Sequence, residues 1–164
     1  MPGGTLSFDP IDEATRQWEE RWPDAALPMA AATSIMRAQQ LVLGAVDRAL
    51  APYGLTFARF EALTLLSFAR TGTLPIGKLG PRLMVHPTSV TNVIDRLEGQ
   101  GLVERRAHPS DRRMTLVAIT DLGRQTLAGA TQAVNDAHFG LGGLDDEALG
   151  DIVRSIRALR DGRD

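Results

Sequence analysis

The sequence contains no cysteine among its 164 residues. This absence excludes disulfide bonds, thiolate metal sites and cysteine-based redox sensing, and it is compatible with a reducing compartment. No apolar run approaches the roughly 20 residues that a membrane-spanning helix needs. Residues 1–30 hold six acidic residues and no apolar core of signal-peptide length. We therefore expect a cytoplasmic protein with no secretion signal and no membrane partner.

Sequence motifs of catalysis are also missing. There is no phosphate-binding glycine loop, no His-Glu-x-x-His motif and no nucleophile elbow. The three histidines, His86, His108 and His138, are widely spaced, and we interpret them as surface or core residues rather than metal ligands. The paired acids Asp145 and Asp146 are interpreted as helix capping. The sequence therefore predicts a protein that is not an enzyme and that uses no metal or other cofactor.

The charge of the chain is unevenly distributed. Composition is that of an ordinary soluble globular protein, with 43% hydrophobic and 23% charged residues, and the length suits a single domain. The net charge is only −2, but residues 70–113 carry eight basic and four acidic residues, whereas residues 1–30 and 114–164 are acidic. A basic segment between acidic flanks is typical of a surface that binds phosphates.

A helix with two contrasting sides is predicted from Pro87 to Glu98. Proline suits the first helical turn, and glycines at positions 99 and 101 are placed to end the helix. One side carries an apolar stripe at i, i+3, i+4 and i+7. The members of this stripe are Val90, Val93, Ile94 and Leu97. The other side is short and polar, and consists of Thr88, Ser89, Thr91, Asn92, Asp95 and Arg96.

An arginine-tipped hairpin is predicted directly after this helix. Residues 102–106 and 114–119 have the composition of strands, the second with period-2 alternation, and residues 108–111 form a tight reversal. Four arginines lie at or near the tip, namely Arg105, Arg106, Arg112 and Arg113. A polar-faced helix followed by such a hairpin is the layout of a winged helix-turn-helix. The helix enters a major groove, and the hairpin reaches backbone or minor groove.

The run VHPTSVTNVIDRLEGQGLVERRAHPSDRR, residues 85–113, resembles the signature of MarR-type (multiple-antibiotic-resistance) transcriptional regulators. The order and length of elements resemble that family from about residue 30 to 160. The resemblance implies a mainly α-helical winged helix-turn-helix fold with a small β-hairpin wing and with N- and C-terminal dimerisation helices. It also implies a homodimer that binds a pseudo-palindrome in double-stranded DNA. Repression is the commoner mode in the family and is our expectation.

The chain is predicted to divide into an N-terminal extension and one MarR-type domain. The extension, residues 1–29, carries a short helix from Ile11 to Trp22, after which Pro23 and Pro28 are expected to break the chain. The domain comprises residues 30–164. Within it we expect a winged core over about residues 55–120 and dimerisation helices over about residues 30–50 and 121–161.

Helix boundaries inside the domain follow from caps and breakers. Thr56 is predicted to cap a helix that runs to Arg70 and buries Phe60, Leu63 and Phe68. The support helix, residues 76–83, is expected to be short or irregular, because it contains two glycines and a proline. The last two helices are predicted to start at the N-caps Thr120 and Asp145, the first of them ending near Phe139.

Ten residues are predicted to contact DNA: Lys78, Thr88, Ser89, Thr91, Asn92, Arg96, Arg105, Arg106, Arg112 and Arg113. Asparagine can pair with adenine through two hydrogen bonds, and serine and threonine can serve bases or phosphates. By resemblance to the family, Arg112 is the wing-tip residue, while Asp111 and Arg113 brace the loop. Which arginine inserts and which braces stays open by one position.

The resemblance also implies a small aromatic or anionic effector in a cleft between the dimer helices and the winged core. The candidate lining residues are Trp18, Trp22, Arg59, Glu61 and His138. In the urate-responsive branch of the family, an N-terminal tryptophan, an acidic residue in the second helix and two arginines shape the ligand site. By resemblance, Trp18, Glu61 and Arg105 or Arg106 would fill three of these roles. Val93 stands where that branch has an arginine in its recognition helix, which argues against urate itself. The alternative role of both tryptophans is packing.

A second function class is a winged-helix protein-interaction module without specific DNA binding. Such a module does not need a polar groove-facing side together with four wing arginines. Neutral or acidic residues on the wing would have favoured it.

Overall fold

The computed structural model describes residues 7–83, 87–111 and 113–162. The chain divides into two compact units, Met1–Gly44 and Ala45–Asp164. The α-helices within the described residues are α1 (Pro10–Arg21), α2 (Pro23–Leu50), α3 (Phe57–Phe68), α4 (Leu79–Leu83), α5 (Pro87–Gly99), α6 (Asp121–Asp136) and α7 (Asp146–Asp161). The strands are β1 (Thr73–Pro75), β2 (Val103–Ala107) and β3 (Thr115–Ile119). The predicted fold class, mainly α with a small β wing, is confirmed.

The first helix begins at Pro10, one residue before the predicted start at Ile11. Pro10 occupies the first turn, where no N–H is needed. The carboxylate of Asp9 accepts a hydrogen bond from the backbone N–H of Ile11 at 2.7 Å. This cap satisfies one of the free N–H groups at the helix start.

The predicted start of α2 was wrong. We expected Pro23 and Pro28 to break the chain before a helix from Ala30, but α2 begins at Pro23 and continues through Pro28. Proline at the first helical position leaves no bond unmade, and a second proline removes one internal hydrogen bond. The segment 24–32 is otherwise rich in alanine, leucine and methionine, whose high helix propensity offsets that loss.

The start of α3 depends on a side chain from α2. Thr56 stands at the predicted N-cap position, but its hydroxyl makes no capping hydrogen bond. The carboxylate of Asp47 instead accepts the N–H of Phe57 at 2.8 Å. The cap is thus supplied from ten residues earlier in the chain, which sequence spacing did not predict.

The end of α3 also differs from the prediction. The helix ends at Phe68 rather than Arg70, and Phe68, predicted to be buried, is 81% exposed. The core side of α3 is defined by Leu63 and Leu66, both fully buried. Phe68 lies two residues, or about 200°, beyond Leu66, so it faces the opposite side of the helix.

The support helix is short, as predicted. A 3-10 turn, Ile76–Lys78, leads into the five-residue α4. Gly80 is buried in α4. The following residues, 84–86, lie outside the described part of the chain, and so does the prediction made for His86.

The small sheet has the antiparallel order β1-β3-β2. Leu74 of β1 and Arg105 of β2 both lie opposite Val117 of β3. The segment that leads into the support helix therefore forms a strand, β1, beside the wing. Because β3 is the central strand, the wing is anchored to the segment that leads into the support helix.

The core of the second unit is built around α3, which contacts α4, α5, α6 and β3. Its largest fully buried side chains come from every one of these elements, from β2 and from the end of α2. They are Leu50, Leu63, Leu66, Leu79, Ile94, Leu97, Val103, Val117 and Val134. Burying each such side chain contributes about 1.5–3 kcal/mol, so this core holds α4, α5 and the wing strands in place.

The two C-terminal helices begin at the predicted caps. The hydroxyl of Thr120 accepts the N–H of Gly123 at 2.9 Å, and the carboxylate of Asp145 accepts the N–H of Ala148 at 2.9 Å. However, α6 ends at Asp136, three residues earlier than expected, and a 3-10 turn follows it. The backbone at His138 lies in the left-handed region, with φ of 48°. Because a continuing α-helix does not permit this conformation, α6 ends before it.

Candidate nucleic-acid interface

The recognition helix α5 separates an apolar side from a polar side as predicted. Val90, Ile94 and Leu97 are buried in the core, and Val93, the fourth member of the predicted stripe, is half-buried. The described polar side chains opposite them are exposed to solvent, namely Ser89, Thr91, Asn92, Asp95 and Arg96. The side chain of Thr88 lies outside the described residues. Burial of the stripe fixes the rotation of α5 about its axis, and this rotation turns the hydroxyl and amide groups outward.

The wing tip is held by hydrogen bonds that involve Asp111 and His108. The Asp111 carboxylate accepts the backbone N–H of Arg113 at 2.9 Å, and the Asp111 carbonyl accepts the N–H of Met114 at 3.1 Å. The N–H of His108 donates to the Met114 carbonyl at 3.2 Å. Asp111 thus holds the loop through backbone contacts, while the Arg113 side chain is exposed. Arg112, the predicted wing-tip contact, lies outside the described residues.

The remaining predicted cations occupy distinct positions around α5. Lys78 is exposed at the end of the 3-10 turn before α4. Arg106 is exposed on β2 and pairs with Glu104 of the same strand. Arg105 differs from both, because it is partly buried and forms ion pairs with Asp95 and Glu98 of α5. Sequence reasoning missed these partners, although the i, i+3 spacing of the two acids on one helix side was a usable signal.

A cavity of about 250 Å³ lies between α3, α4 and the turn after α6. Its lining includes Phe57, Phe60, Glu61, Arg82, Leu83 and Phe139. Burial raises the pKa of the Glu61 carboxyl above its ordinary value. Three aromatic rings around one carboxyl make a site suited to a flat ligand with a polar edge. Sequence reasoning found Glu61 but missed Arg82 and Phe139, which come from distant segments.

The other candidate effector residues do not share this cavity. Arg59 lines a separate open cavity of about 490 Å³ with Arg96 and Gln100, and its guanidinium donates to the Gly54 carbonyl at 2.8 Å. His138 is not among the described residues lining the Glu61 cavity, although its neighbour Phe139 is. Neither Arg105 nor Arg106 is among them, which leaves the urate-branch roles of these arginines unsupported there.

Both tryptophans belong to the first unit, Trp18 on α1 and Trp22 directly after its end. The ring centroids of Trp18 and Trp22 are 4.8 Å apart, and the ring planes are tilted by 49°. Such tilted pairs stabilise through their quadrupoles as well as through burial. The rings therefore contact each other, and their role toward an effector stays a prediction.

The described residues hold neither a metal-binding cluster nor a membrane-spanning helix. No group of three His, Asp or Glu side chains there could hold a metal ion. None of the described helices has the length and apolar character that crossing a membrane requires.

Known proteins resemble this chain in sequence and in structure. Residues 55–115 match the MarR family. From Bacillus subtilis, the HTH-type transcriptional regulator MhqR is 32% identical over 54% of this chain and 60% of its own length. The HTH-type transcriptional repressor MdtR, also from Bacillus subtilis, is 31% identical over 62% of this chain and 72% of its own length.

The structural comparison covers more of the chain. The crystal structure of Sco5413, a MarR family transcriptional regulator from Streptomyces coelicolor, is 54% identical with a TM-score of 0.77. The match covers 82% of this chain and 94% of that structure. By contrast, the chain spans about half the length of several curated relatives, between 44% and 60%.

Proposed function

Because the chain belongs to the MarR family, we propose that it is a sequence-specific, DNA-binding transcriptional regulator. One observation carries this proposal: α5 buries its apolar stripe and presents short hydroxyl and amide side chains to solvent. A helix of this kind fits a major groove and can read base edges there. The relatives named above are themselves described as transcriptional regulators, which supports the same function.

The exposed residues take separate roles in this proposal. Ser89, Thr91 and Asn92, in the first half of α5, contact base edges, together with Thr88. Arg96 binds phosphate or guanine. The cations outside α5 bind the DNA backbone, with Arg112 entering the minor groove; this group comprises Lys78, Arg106, Arg112 and Arg113.

The regulator acts as a homodimer in this proposal. No described residue of α7 is buried, although Ile152, Val153 and Leu159 form an apolar stripe with exposures near one half. A two-fold partner covering this stripe would place two recognition helices about one turn of DNA apart. A cytoplasmic repressor is the proposed mode, since the relative MdtR is described as a repressor.

A small aromatic effector is proposed for the Glu61 cavity. The cavity lies between α3 and α4 of the helix-turn-helix and the turn after α6. The two recognition helices of a dimer bind DNA at one spacing. A ligand that binds another spacing more tightly would shift the population toward it and release DNA.

A DNA titration tests the proposed function. The full chain is titrated against labelled duplex from the region upstream of its own gene, and against scrambled duplex, at two salt concentrations. We expect a preference for the specific duplex and a steep loss of binding as salt rises. Asn92→Ala should lose the preference, whereas Arg157→Ala on α7 serves as a surface control that keeps it.

If the upstream region shows no preference, selection from a random DNA pool follows. Enrichment of a two-fold-related motif supports the proposal even if the target lies elsewhere in the genome. A pool that yields no motif, with binding equal for all duplexes, overturns sequence-specific regulation and favours the protein-interaction module.

A further inference from the structure

Strand β2 directs its two neighbouring arginines to opposite faces of the wing. Side chains alternate between faces along a strand. Arg105 shares its face with the buried Val103 and lies opposite the buried Val117, and its side chain is 27% exposed. Arg106 lies on the other face beside Glu104 and is 59% exposed. The two arginines therefore form a natural matched pair with different surroundings.

Arg105 is held by the second half of α5 through three contacts. Its guanidinium pairs with the Glu98 carboxylate and donates to the Asp95 carboxylate at 2.5 Å. Its backbone N–H donates to the other carboxylate oxygen of Glu98 at 3.0 Å. Burial lowers the pKa of Arg105, but the hydrogen bonds and charges of the two acids outweigh it, so the pKa lies above its ordinary value.

The chain between α5 and β2 is itself closed by backbone hydrogen bonds. The N–H of Gly101 donates to the Glu98 carbonyl at 2.9 Å, and the N–H of Leu102 donates to the Leu97 carbonyl at 2.9 Å. Gly101 has φ of 71°, which completes a Schellman ending. Glu98 therefore contacts the start of the wing with both its backbone and its side chain.

We propose that Arg105, Asp95 and Glu98 form a clamp that fixes the wing against the recognition helix, so that Arg105 positions the two DNA-reading elements and does not contact phosphate. This inference rests on the proposed DNA-binding function. A guanidinium shared by two carboxylates has its charge compensated locally, and both of its terminal nitrogens donate to an acid. Two elements that enter adjacent grooves must also keep a defined mutual angle, which a shell of supporting contacts provides.

The first test compares Arg105→Gln with Arg106→Gln in the full chain. Log affinity falls as log salt rises, and each phosphate contact that is lost makes this slope less steep by about 0.9. We expect Arg106→Gln to reduce the steepness by roughly that amount for each subunit of the bound dimer. Arg105→Gln should instead weaken binding roughly tenfold, the size of one charge-assisted contact, with the slope of the wild type. Equal loss of slope in both variants overturns the clamp.

Two further variants separate positioning from contact. Arg105→Lys keeps the charge but loses the planar fork that reaches both acids. The clamp predicts an affinity near that of Arg105→Gln, whereas a phosphate contact predicts an affinity near that of the wild type. Glu98→Gln removes a negative charge near DNA and keeps an acceptor for the backbone N–H. If Arg105 positions the wing, Glu98→Gln should bind DNA more weakly than the wild type. If Arg105 contacts phosphate, its release from Glu98 should strengthen DNA binding and make the salt dependence steeper.

The controls keep folding and function distinct. Thermal unfolding of each variant identifies a change that merely destabilises the fold, and only variants folded at the assay temperature are compared. A wild type that binds no DNA overturns the proposed function and the clamp together. A wild type that binds specifically, with Arg105→Lys at full affinity, overturns the clamp alone.

Discussion

The carbonyl oxygen of Leu102 lies 2.1 Å from the point where a Cβ atom on Gly123 would stand. The first turn of α6 is therefore seated directly on the backbone that leaves the recognition helix. Thr120 reinforces this seat, because its hydroxyl donates to the Gly101 carbonyl at 2.8 Å and its N–H donates to the Leu102 carbonyl at 3.1 Å. The absence of a side chain at position 123 is what permits the approach.

Gly123→Ala should destabilise the protein by about 1–3 kcal/mol, because the added methyl meets backbone rather than a flexible side chain. The matched control is Gly143→Ala, since a Cβ there meets no described atom within 4 Å, and a change within about 0.5 kcal/mol is expected for such a site. Urea unfolding monitored by circular dichroism measures both. Equal midpoints for the two variants would refute the close approach.

Asp47→Ala should cost about 1 kcal/mol, the usual effect of losing a helix N-cap. The physical reason is the hydrogen bond from the N–H of Phe57 to the Asp47 carboxylate. Thr56→Ala is the control, because the Thr56 hydroxyl makes no capping bond. Chemical denaturation should place Thr56→Ala close to the wild type. The reverse order of stability would show that the local residue is the cap after all.

Phe60→Ala and Phe68→Ala should differ strongly although both residues lie on α3. Phe60 is buried, and removing a buried phenyl ring costs about 3–5 kcal/mol. Phe68 is exposed, so its removal should change the free energy of unfolding by less than about 0.5 kcal/mol. Melting temperatures measured at several protein concentrations decide this. A large loss at Phe68 would mean that another surface covers it in solution.

Glu61→Gln should stabilise the protein near neutral pH and not in acid. Burial raises the folded-state pKa of Glu61 above its ordinary value of 4.5, so the folded state prefers the protonated carboxyl. The stability gained by protonation is fully present below that ordinary value and is lost as pH rises through the folded pKa. We expect Glu61→Gln to melt about 1–3 °C higher near pH 7.

The pH series needs a control carboxyl. Glu20, on the first helix, is exposed, and Glu20→Gln should melt close to the wild type near pH 7. The stabilisation by Glu61→Gln should vanish below about pH 4.5, where both forms are neutral. A constant difference across the series would show that the carboxyl charge plays no part.

Val153→Asp should weaken the proposed dimer, because it places a charge on the exposed apolar stripe of α7. Ala158→Asp adds the same charge to an exposed position on the opposite side of that helix and should leave assembly unchanged. Sedimentation velocity at several concentrations measures the monomer fraction. A wild type that sediments as a monomer throughout would exclude a stable homodimer.

The sequence predicted the recognition helix, the wing strands and the later caps because these depend on local periodicity and neighbouring residues. It failed where distant residues decide the outcome. Thr56 was the predicted local cap, but the Asp47 carboxylate accepts the N–H of Phe57 instead. Phe68 is apolar and was predicted to be buried, but the rotation of α3 set by Leu66 turns it outward.

The candidate site divides in the same way. The exposed polar residues of α5 could be predicted, since their rotation follows from the apolar stripe on the same helix. The i, i+3 spacing places Asp95 and Glu98 on one side of α5, but that they pair with Arg105 depends on how β2 lies against α5, which spacing does not give. Likewise, Phe139 joins Glu61 at one cavity across a long separation in sequence, and periodicity within a helix carries no signal for such pairs.

The order β1-β3-β2 has a consequence for solubility. Within the described strands, β2 pairs with β3 alone. Apart from the N–H of Arg105, which the Glu98 carboxylate accepts, the other edge of β2 is therefore open to a second molecule. An open edge is a template for sheet extension between molecules, and charged side chains oppose it. Glu104, Arg105 and Arg106 give this short edge three consecutive charges. Strand β2, whose Arg106 is proposed to bind the DNA backbone, therefore also carries charges that oppose aggregation of the protein.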